Sequence, residues 1–255
     1  VRHLASKLNG AKVERTVMTG IPKYVVIKRS IKQRIDAKEW RPGDKLPSLK
    51  QLAEQYGTSV GTLRKVVEQL VDDDVCTTRF GSGIFVKSYS NQGFWNKYQR
   101  FQRLDGTIIT AYRIKLLTFE HEKAEENIAH ELNIACGASV IHWIRLFYVD
   151  NLPTGLDECW LPEELFPNLK YEDIENRGKG ESLYSTYEKT DGVLITAASE
   201  RVRGGLLTPV QANLMHLPMG TPVIQFLRRS RMVGGHVCEF RIGTCDARRC
   251  QICIE

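Results

Sequence analysis

The sequence predicts an α+β protein of two domains, a small helical domain followed by a larger strand-rich one. Two observations favour the helical domain: a helical pattern stops for three residues and restarts, and a glycine-rich hairpin signal follows it directly. From residue 95 onward, strand-like runs alternate with short helical segments, as in α+β domains. The predicted domains are residues 21–88 and 95–255, and residues 1–20 are expected to form an arm or a short helix.

An apolar stripe predicts the first helix, which begins near Tyr24 and ends before Pro42. Its members are Val26, Ile27, Ile31 and Ile35. The segment WRPGDKLPS that follows contains two prolines and a glycine, so it is expected to be a loop.

The segment QLAEQYGTSVGTLRKVVEQL, residues 51–70, predicts two helices separated by a short break. Gly57 can adopt a positive φ and end the second helix, and the Ser59 hydroxyl can cap the third. The expected apolar face of the second helix is Leu49, Leu52, Ala53 and Tyr56. That of the third helix is Leu63, Val66, Val67 and Leu70, with Val60 at its entry. Such a break fixes the angle between two helices.

The segment VCTTRFGSGIFVKS, residues 75–88, predicts two short strands around Gly81, Ser82 and Gly83. Three helices with a tight turn before the third, followed by a hairpin, form a winged helix-turn-helix. This arrangement sets the third helix across the second so that it can enter a DNA major groove.

The charge distribution also favours a polyanionic partner for the first domain. Residues 1–88 carry 17 Lys and Arg against 9 Asp and Glu, a net charge of +8, whereas the rest of the chain carries 19 against 21, a net charge of −2. A basic segment of this kind is typical of nucleic-acid binding. A solvated basic surface is the alternative.

The second domain is expected to contain an antiparallel sheet with helices. Strands are predicted at 106–120, 139–151, 193–204, 222–233, 236–246 and 248–255, with a hairpin turn at Asp150 and Asn151. Helices are predicted at 121–134, 182–190 and 208–217.

Cysteine usage and hydropathy favour a cytoplasmic protein without a membrane partner. The seven cysteines are an odd number without a disulfide-like spacing, which favours reduced thiols. No stretch approaches the roughly 18 apolar residues of a membrane helix. Among the cysteines near the end of the chain, Cys250 and Cys253 have a metal-like spacing, but zinc prefers two such pairs. Neither a metal nor another cofactor is predicted.

The first domain resembles the GntR family of bacterial transcription regulators. The resemblance rests on PKYVVIKRSIKQRI, RPGDKLPS, LAEQYGTSVGTLRKVVEQL and FGSGIFV, in this order and spacing, over about 65 residues. It implies DNA contacts from Lys50, Ser59, Thr62, Arg64, Lys65, Arg79, Gly81 and Gly83. Val60 stands where the family commonly has an arginine, so the usual operator sequence is not implied. Ser59 can also be only a helix cap, and Arg64 and Lys65 only a solvated face.

The second domain resembles the UTRA domain of the HutC-like branch, which implies a chorismate-lyase-like fold and a small anionic effector such as a sugar phosphate. The resemblance rests on IRLFYVDNLPTGLDECWLPEELFPNL, SLYSTYEKTDG, GTPVIQFLRRS and GGHVCEF. It implies that the anion binds Arg145, Ser182 and Tyr184, and that Asp157 and Glu239 contact the rest of the effector. Phe147 stands where the family often has a second arginine, and Arg100 can supply the missing charge.

Each effector residue also has a structural interpretation. Asp157 and Glu239 can be surface or hairpin charges, Arg145 a surface strand residue paired with an acid, and Tyr184 a core residue. The function that fits best is a ligand-responsive repressor that binds an operator in double-stranded DNA as a homodimer. A lyase-like enzyme and a purely architectural DNA-binding dimer are the alternatives, although residues 95–255 show no nucleophile–base constellation.

Overall fold

The computed structural model describes residues 21–88, 101–109, 113–176 and 182–253. It confirms the predicted α+β class, with helices and a mostly antiparallel sheet. The first part consists of three helices and a two-stranded hairpin, called here the winged domain. The second part, called here the sheet domain, is built around six antiparallel strands. Within the described residues no helix combines the length and the apolar character needed to cross a membrane.

The helices of the winged domain form where the sequence predicts them. They are α1 (Lys23–Asp36), α2 (Leu49–Gln55) and α3 (Val60–Asp72). Ser48 caps α2 in a reciprocal capping box with Gln51. Gly57 has a φ of +55°, as predicted for the residue that ends α2.

The core of the winged domain contains most of the predicted apolar residues. Its buried helical members are Ile27, Ile31, Ile35, Leu52, Ala53, Leu63, Val66, Val67 and Leu70. The prediction for Val26 is wrong, because this side chain is 49% exposed. Ile27, Ile31 and Ile35 lie four residues apart on one face of α1, and Val26 is rotated by about 100° from Ile27.

The wing is the hairpin of β1 (Cys76–Arg79) and β2 (Gly83–Val86). The register pairs Arg79 with Gly83, and Ile84 and Val86 are buried against the helices. A bridge between Lys45 and Phe85 ties the wing to the loop before α2. The wing is therefore anchored at its base, and its turn projects from the domain.

The central sheet has the strand order β4-β5-β6-β9-β8-β7. Its strands are β4 (Arg113–Lys123), β5 (Ser139–Val149), β6 (Leu152–Pro162), β7 (Ile195–Leu206), β8 (Pro222–Met232) and β9 (Val237–Asp246). A separate pair joins β3 (Phe101–Arg103) to β10 (Cys250–Ile252). Asp150 and Asn151 have φ values of 52° and 63°, so the predicted hairpin turn between β5 and β6 is confirmed.

The helices of the sheet domain are α4 (Glu126–Leu132), α5 (Tyr171–Glu175), α6 (Leu183–Asp191) and α7 (Pro209–Met215). The helix predicted at 121–134 is too long, because residues 121–123 continue β4 and pair with β5. The charged residues there suit either structure, and the sheet register decides between them. The short helix α5 was not predicted.

Helices cover both faces of the central sheet. Ile128 and Leu132 of α4 and Met215 of α7 pack on one face. Tyr184 and Tyr187 of α6 pack on the other face, in a hydrophobic cluster that continues into the core of the winged domain. Helix α6 therefore lies between the sheet and the winged domain, where it can contact both.

Candidate functional site

The turn between α2 and α3 presents the start of α3 to solvent. Ser59 caps α3, because its Oγ accepts a hydrogen bond from the Thr62 N–H at 3.1 Å and lies 2.9 Å from the Thr62 hydroxyl. Ser59 is nevertheless exposed, so its phosphate contact stays a prediction. Val60 is 41% exposed beside the cap. An apolar side chain thus occupies the place where the family commonly has an arginine.

The predicted basic contacts on α2 and α3 are accessible. Lys50 and Arg64 are exposed. Lys65 is exposed as well, and its ammonium lies 4.5 Å from the centre of the Tyr24 ring. A cation–π contact at an exposed site contributes only about 0.5–1 kcal/mol. Lys65 can therefore leave the ring for a phosphate at a small cost in free energy.

In the wing, Arg79 and two glycines form an exposed turn. The Arg79 guanidinium lies 4.6 Å from the centre of the Phe85 ring. Gly81 and Gly83 have φ values of +71° and +116°, a backbone region that disfavours side chains. A Cβ at Gly83 would also lie 3.0 Å from the Lys45 side chain. The turn therefore requires glycine and leaves its backbone accessible to a close partner.

Several basic residues of the winged domain pair with its acids. Lys28 and Lys32 lie 2.9 and 2.5 Å from Asp73, and Arg34 pairs with Glu39 at 2.5 Å. Within the described residues no ion pair involves the predicted DNA-contacting residues. These are Lys50, Arg64, Lys65 and Arg79. Their positive charge thus remains available for a polyanion.

A second set of charged residues lies buried on the sheet, under α6. We call it the buried charge cluster, and its members are Arg145, Asp157, Glu200, Arg228, Glu239 and Arg241. The register brings them together across five strands: Arg145 is opposite Asp157, Arg241 opposite Arg228, and Arg228 opposite Glu200. The cluster contains three arginines and three acids, so its formal charges balance.

Arg145 and Asp157 form the centre of this cluster. Arg145 Nη2 donates to Asp157 Oδ2 at 2.6 Å, and the two residues are only 2% and 3% exposed. Arg145 also lies 4.5 Å from the Trp143 ring centre and 5.2 Å from that of Phe147. Its Nε and Nη1 are buried and have no hydrogen-bond partner among the residues that the structure describes. A buried guanidinium with two unused donor groups favours an additional acceptor.

Arg241 links two of the three acids of the cluster, Asp157 and Glu239. Its guanidinium pairs with Glu239 and lies 3.5 Å from Asp157. Burial opposes ionisation of Glu239, but Arg241, the Ser230 hydroxyl and Arg228 together hold its pKa below the ordinary value. Burial by itself would lower the pKa of Arg241, but Glu239 and Asp157 raise it well above the ordinary value. Both groups therefore stay ionised at neutral pH.

Helix α6 reaches the cluster through two tyrosines. Tyr187 donates to Glu239 at 3.0 Å, and the Tyr184 hydroxyl lies 2.9 Å from Ser230 Oγ, which itself donates to Glu239 at 2.8 Å. Burial raises the pKa of Tyr184 to about 12, so its hydroxyl keeps its proton at neutral pH. At the edge of the cluster, Arg228 Nε donates to Glu200 at 2.7 Å. The position of α6 is thus coupled to the charge cluster.

The structure brings together four of the six residues predicted for the effector: Arg145, Asp157, Tyr184 and Glu239. The interpretation of both acids as surface charges is wrong, because Asp157 is 3% and Glu239 is 0% exposed. Ser182 caps α6 by accepting from the Ser185 N–H at 3.0 Å. Arg100 lies outside the described residues.

Sequence reasoning missed several members and neighbours of the cluster: Tyr187, Glu200, Arg228, Ser230 and Arg241. The available signal was the spacing of Glu239 and Arg241, which alternate with Cys238, Phe240 and Ile242 in β9. Residues two apart lie on the same face, so both charges had to face one side of the sheet. Arg241 provides a second guanidinium beside Arg145, although Phe147 replaces the arginine that the family often has.

Two other features of the sheet domain lie apart from the cluster. A cavity of about 310 Å³ is lined by residues that include Arg103, Asp150 and Arg248, and Arg103 already pairs with Asp150 at 2.7 Å. It contains none of the predicted effector residues. In the described residues none of the seven cysteines forms a disulfide. In the described residues no group of three or more His, Cys, Asp and Glu side chains is arranged to hold a metal ion.

Comparison with known families gives two matches that follow each other along the chain. Residues 23–86 match the gntR family of bacterial regulatory proteins, and residues 110–251 match the UTRA domain.

Similar proteins include three bacterial repressors. The mannosyl-D-glycerate transport/metabolism system repressor MngR of Escherichia coli is 27% identical, over 86% of this chain and 89% of that protein. The repressor NagR of Bacillus subtilis is 24% identical over 86% and 88%, and the histidine utilization repressor of Klebsiella aerogenes is 22% identical over 82% and 84%.

Solved structures share the fold. A ligand-binding domain from Bordetella bronchiseptica superposes with a TM-score of 0.58 at 24% identity, over 62% of this chain and 97% of that one. YydK from Bacillus subtilis superposes with a TM-score of 0.53 at 20% identity, over 92% of this chain and 99% of that one. The similarity to YydK extends over both domains of the chain.

Proposed function

Because the chain belongs to the gntR family of bacterial regulatory proteins and carries a UTRA domain, we propose that it is a repressor that leaves its operator when a small anionic metabolite binds the buried charge cluster. GntR regulators bind DNA operators, and UTRA domains bind small-molecule effectors. The family consists of transcription regulators, which excludes the lyase-like alternative. Three relatives are named as repressors, and this supports the direction of control.

The DNA-binding surface is α3 together with the wing, within residues 21–88. Lys50, Arg64, Lys65 and Arg79 are exposed, and none of them takes part in an ion pair within the described residues. Phosphate contacts from such residues position a protein on the duplex, and base contacts then provide specificity. Arg64, in the first half of α3, is the best candidate for a base contact.

The effector proposal rests on the buried hydrogen-bond donors of Arg145. Its Nε and Nη1 are buried without an acceptor, while its Nη2 is held by Asp157. These two groups lie on different edges of the guanidinium, so a carboxylate or phosphate can accept from one of them without displacing Asp157. Hydrogen bonds to charged groups contribute about 1.5–3 kcal/mol each. Asp157 and Glu239, both buried beside Arg241, can contact hydroxyl or amine groups on the rest of the effector.

Helix α6 provides the connection between the two sites. Tyr184 and Tyr187 contact the cluster, and Glu188 accepts a hydrogen bond of 2.9 Å from Ser88, which follows the last strand of the wing. A second contact joins the two domains, because His236 of the sheet domain lies 3.9 Å from Asp36, the last residue of α1. A shift of α6 on effector binding would therefore act on the winged domain at Ser88.

The repressor acts as a homodimer that assembles through the sheet domain. A single recognition helix reads only a few base pairs, so two copies on a near-palindromic site are needed for specificity. Among the described residues the edge strand β7 pairs only with β8, and its Val202 and Leu206 are 47% and 65% exposed. Val210 and Met219, in and beyond α7, are 70% and 71% exposed. An apolar edge of this kind suits a second copy.

The test is a melting-temperature screen of the protein against phosphorylated and carboxylated metabolites. A ligand that binds the native state raises the melting temperature. We expect a hit that stabilises the parent and binds Arg145→Ala at least tenfold more weakly. Arg113→Ala is the matched control, because the Arg113 guanidinium lies on the Tyr148 ring in the neighbouring strand, 3.8 Å from its centre. Equal affinities for the parent and Arg145→Ala would contradict the proposed location. A protein that binds DNA but responds to no metabolite would favour the architectural alternative.

A further inference from the structure

The turn at the tip of the wing holds an aromatic side chain in a fixed position. The Ser82 N–H donates to the Arg79 carbonyl at 2.9 Å, which closes a four-residue turn with Phe80 and Gly81 at its centre. Gly81 has a φ of +71°, as required for the third residue of a type II turn. Phe80 is therefore the second residue of a hydrogen-bonded turn, and the turn directs it away from the hairpin.

Phe80 is more exposed than any other large apolar residue in the described part of the chain. Its relative exposure is 108%, compared with 71% for Met219 and 70% for Val210. The core of the wing is completed without it, because Ile84 and Val86 are buried and Phe85 lies under the Arg79 guanidinium. A phenylalanine normally gains stability by burial, and Phe80 gains none within this chain.

The surroundings of Phe80 suit a nucleic-acid backbone. Arg79 precedes it with an exposed guanidinium, and Gly81 and Gly83 follow it without side chains. Lys45 approaches the same turn, since its side chain lies next to Gly83. Donors for phosphates thus flank an apolar ring on both sides. Proteins that bend DNA use the same combination, in which basic residues hold the backbone and an apolar residue inserts between base pairs.

We propose that Phe80 is a wedge that inserts at a base step in the minor groove of the operator and bends the duplex there. The proposal rests on the DNA-binding function proposed above. The preferred step is pyrimidine–purine, because such steps unstack and kink most easily. Phe80 would thus contribute sequence preference through DNA deformability, while Val60 leaves the recognition helix without a family arginine contact.

The test uses the full chain and a short duplex that the parent protein selects from a random-sequence pool. We expect Phe80→Ala to bind this duplex at least tenfold more weakly, with the same dependence of affinity on salt. Arg79→Ala is expected to reduce that salt dependence, because it removes a phosphate contact. Leu104→Ala, which truncates an exposed apolar side chain of the sheet domain, should bind like the parent. Phe80→Trp keeps a wedge and should retain most of the affinity.

Energy transfer between dyes at the two ends of the duplex measures the bend. The parent and Phe80→Trp should bring the ends closer together than Phe80→Ala does. Equal affinity and equal bending for the parent and Phe80→Ala would overturn the proposal. If Phe80→Ala binds and bends the duplex like the parent but sediments differently, the proposal is also overturned. Phe80 then belongs to a contact between copies of the chain. Failure of the parent to select any duplex would instead count against the proposed DNA-binding function.

Discussion

In the winged domain the predicted DNA-contacting side chains Arg64 and Arg79 are exposed, whereas in the sheet domain Arg145, Arg228 and Arg241 are buried against acids. The same residue type therefore has two different environments in one chain. Exposed positive charge attracts a polyanion through long-range forces that salt screens. A buried guanidinium is held in one geometry and binds through directed hydrogen bonds. The first arrangement suits a duplex, and the second suits one small anion.

The largest expected effect is a difference between the two sites in how strongly salt weakens binding. Lys50, Lys65 and Arg79 from each of two copies give about six phosphate contacts, and DNA affinity should then fall by at least about 10³-fold between about 50 and 200 mM salt. Binding of the effector inside the sheet domain should change by much less, since buried charges are screened weakly. Fluorescence anisotropy for DNA and calorimetry for the effector provide the two measurements. An equally steep salt dependence at both sites would remove the distinction between them.

Removal of a buried arginine is expected to cost stability, and removal of an exposed one is not. Arg241→Met leaves Glu239 without its closest cation and takes a positive charge away from Asp157. Breaking a buried ion pair in this way costs about 3–5 kcal/mol of the free energy of unfolding. The matched control Arg64→Met, on the exposed face of α3, should change it by less than about 0.5 kcal/mol. Urea denaturation monitors both variants, and equal stabilities would contradict the role given to the cluster.

The smallest expected effect concerns communication between the two sites. Ser88→Ala removes the hydroxyl that donates to Glu188 of α6. Changes along such a contact alter coupling by about 0.5–2 kcal/mol. The effector concentration that releases half of the DNA should shift accordingly, while the separate affinities for effector and operator stay near the parent values. Ser139→Ala, which removes a hydroxyl that accepts from Lys123 in the sheet domain, is the control. An unchanged release midpoint would exclude this contact from the coupling.

The features that the sequence predicted well depend on local chemistry. The positive φ at Gly57, the cap at Ser59 and the turn at Asp150 and Asn151 each follow from the residues within a few positions. The buried face of α3 follows from a regular spacing of apolar residues. Such features need no knowledge of distant contacts, and so they could be predicted from one sequence.

The features that the sequence did not predict depend on register between distant strands. Arg228 and Arg241 lie opposite each other only because β8 pairs with β9 in one particular register. Burial of Asp157 and Glu239 depends in turn on α6 covering that face of the sheet. The sequence also predicted residues 121–123, the end of β4, as part of a helix. Their charged side chains favour a helix, but pairing with β5 makes them a strand.

The most direct test of whether the buried charge cluster controls DNA binding is a titration. The protein–operator complex is titrated with the metabolite that the screen identifies. Coupling between two sites is reciprocal, so a variant that binds the effector more weakly must release DNA at higher effector concentrations. Arg145→Ala should bind the operator as tightly as the parent in the absence of effector, and should require at least tenfold more effector for release. Release of both proteins at the same effector concentration would contradict control through this cluster.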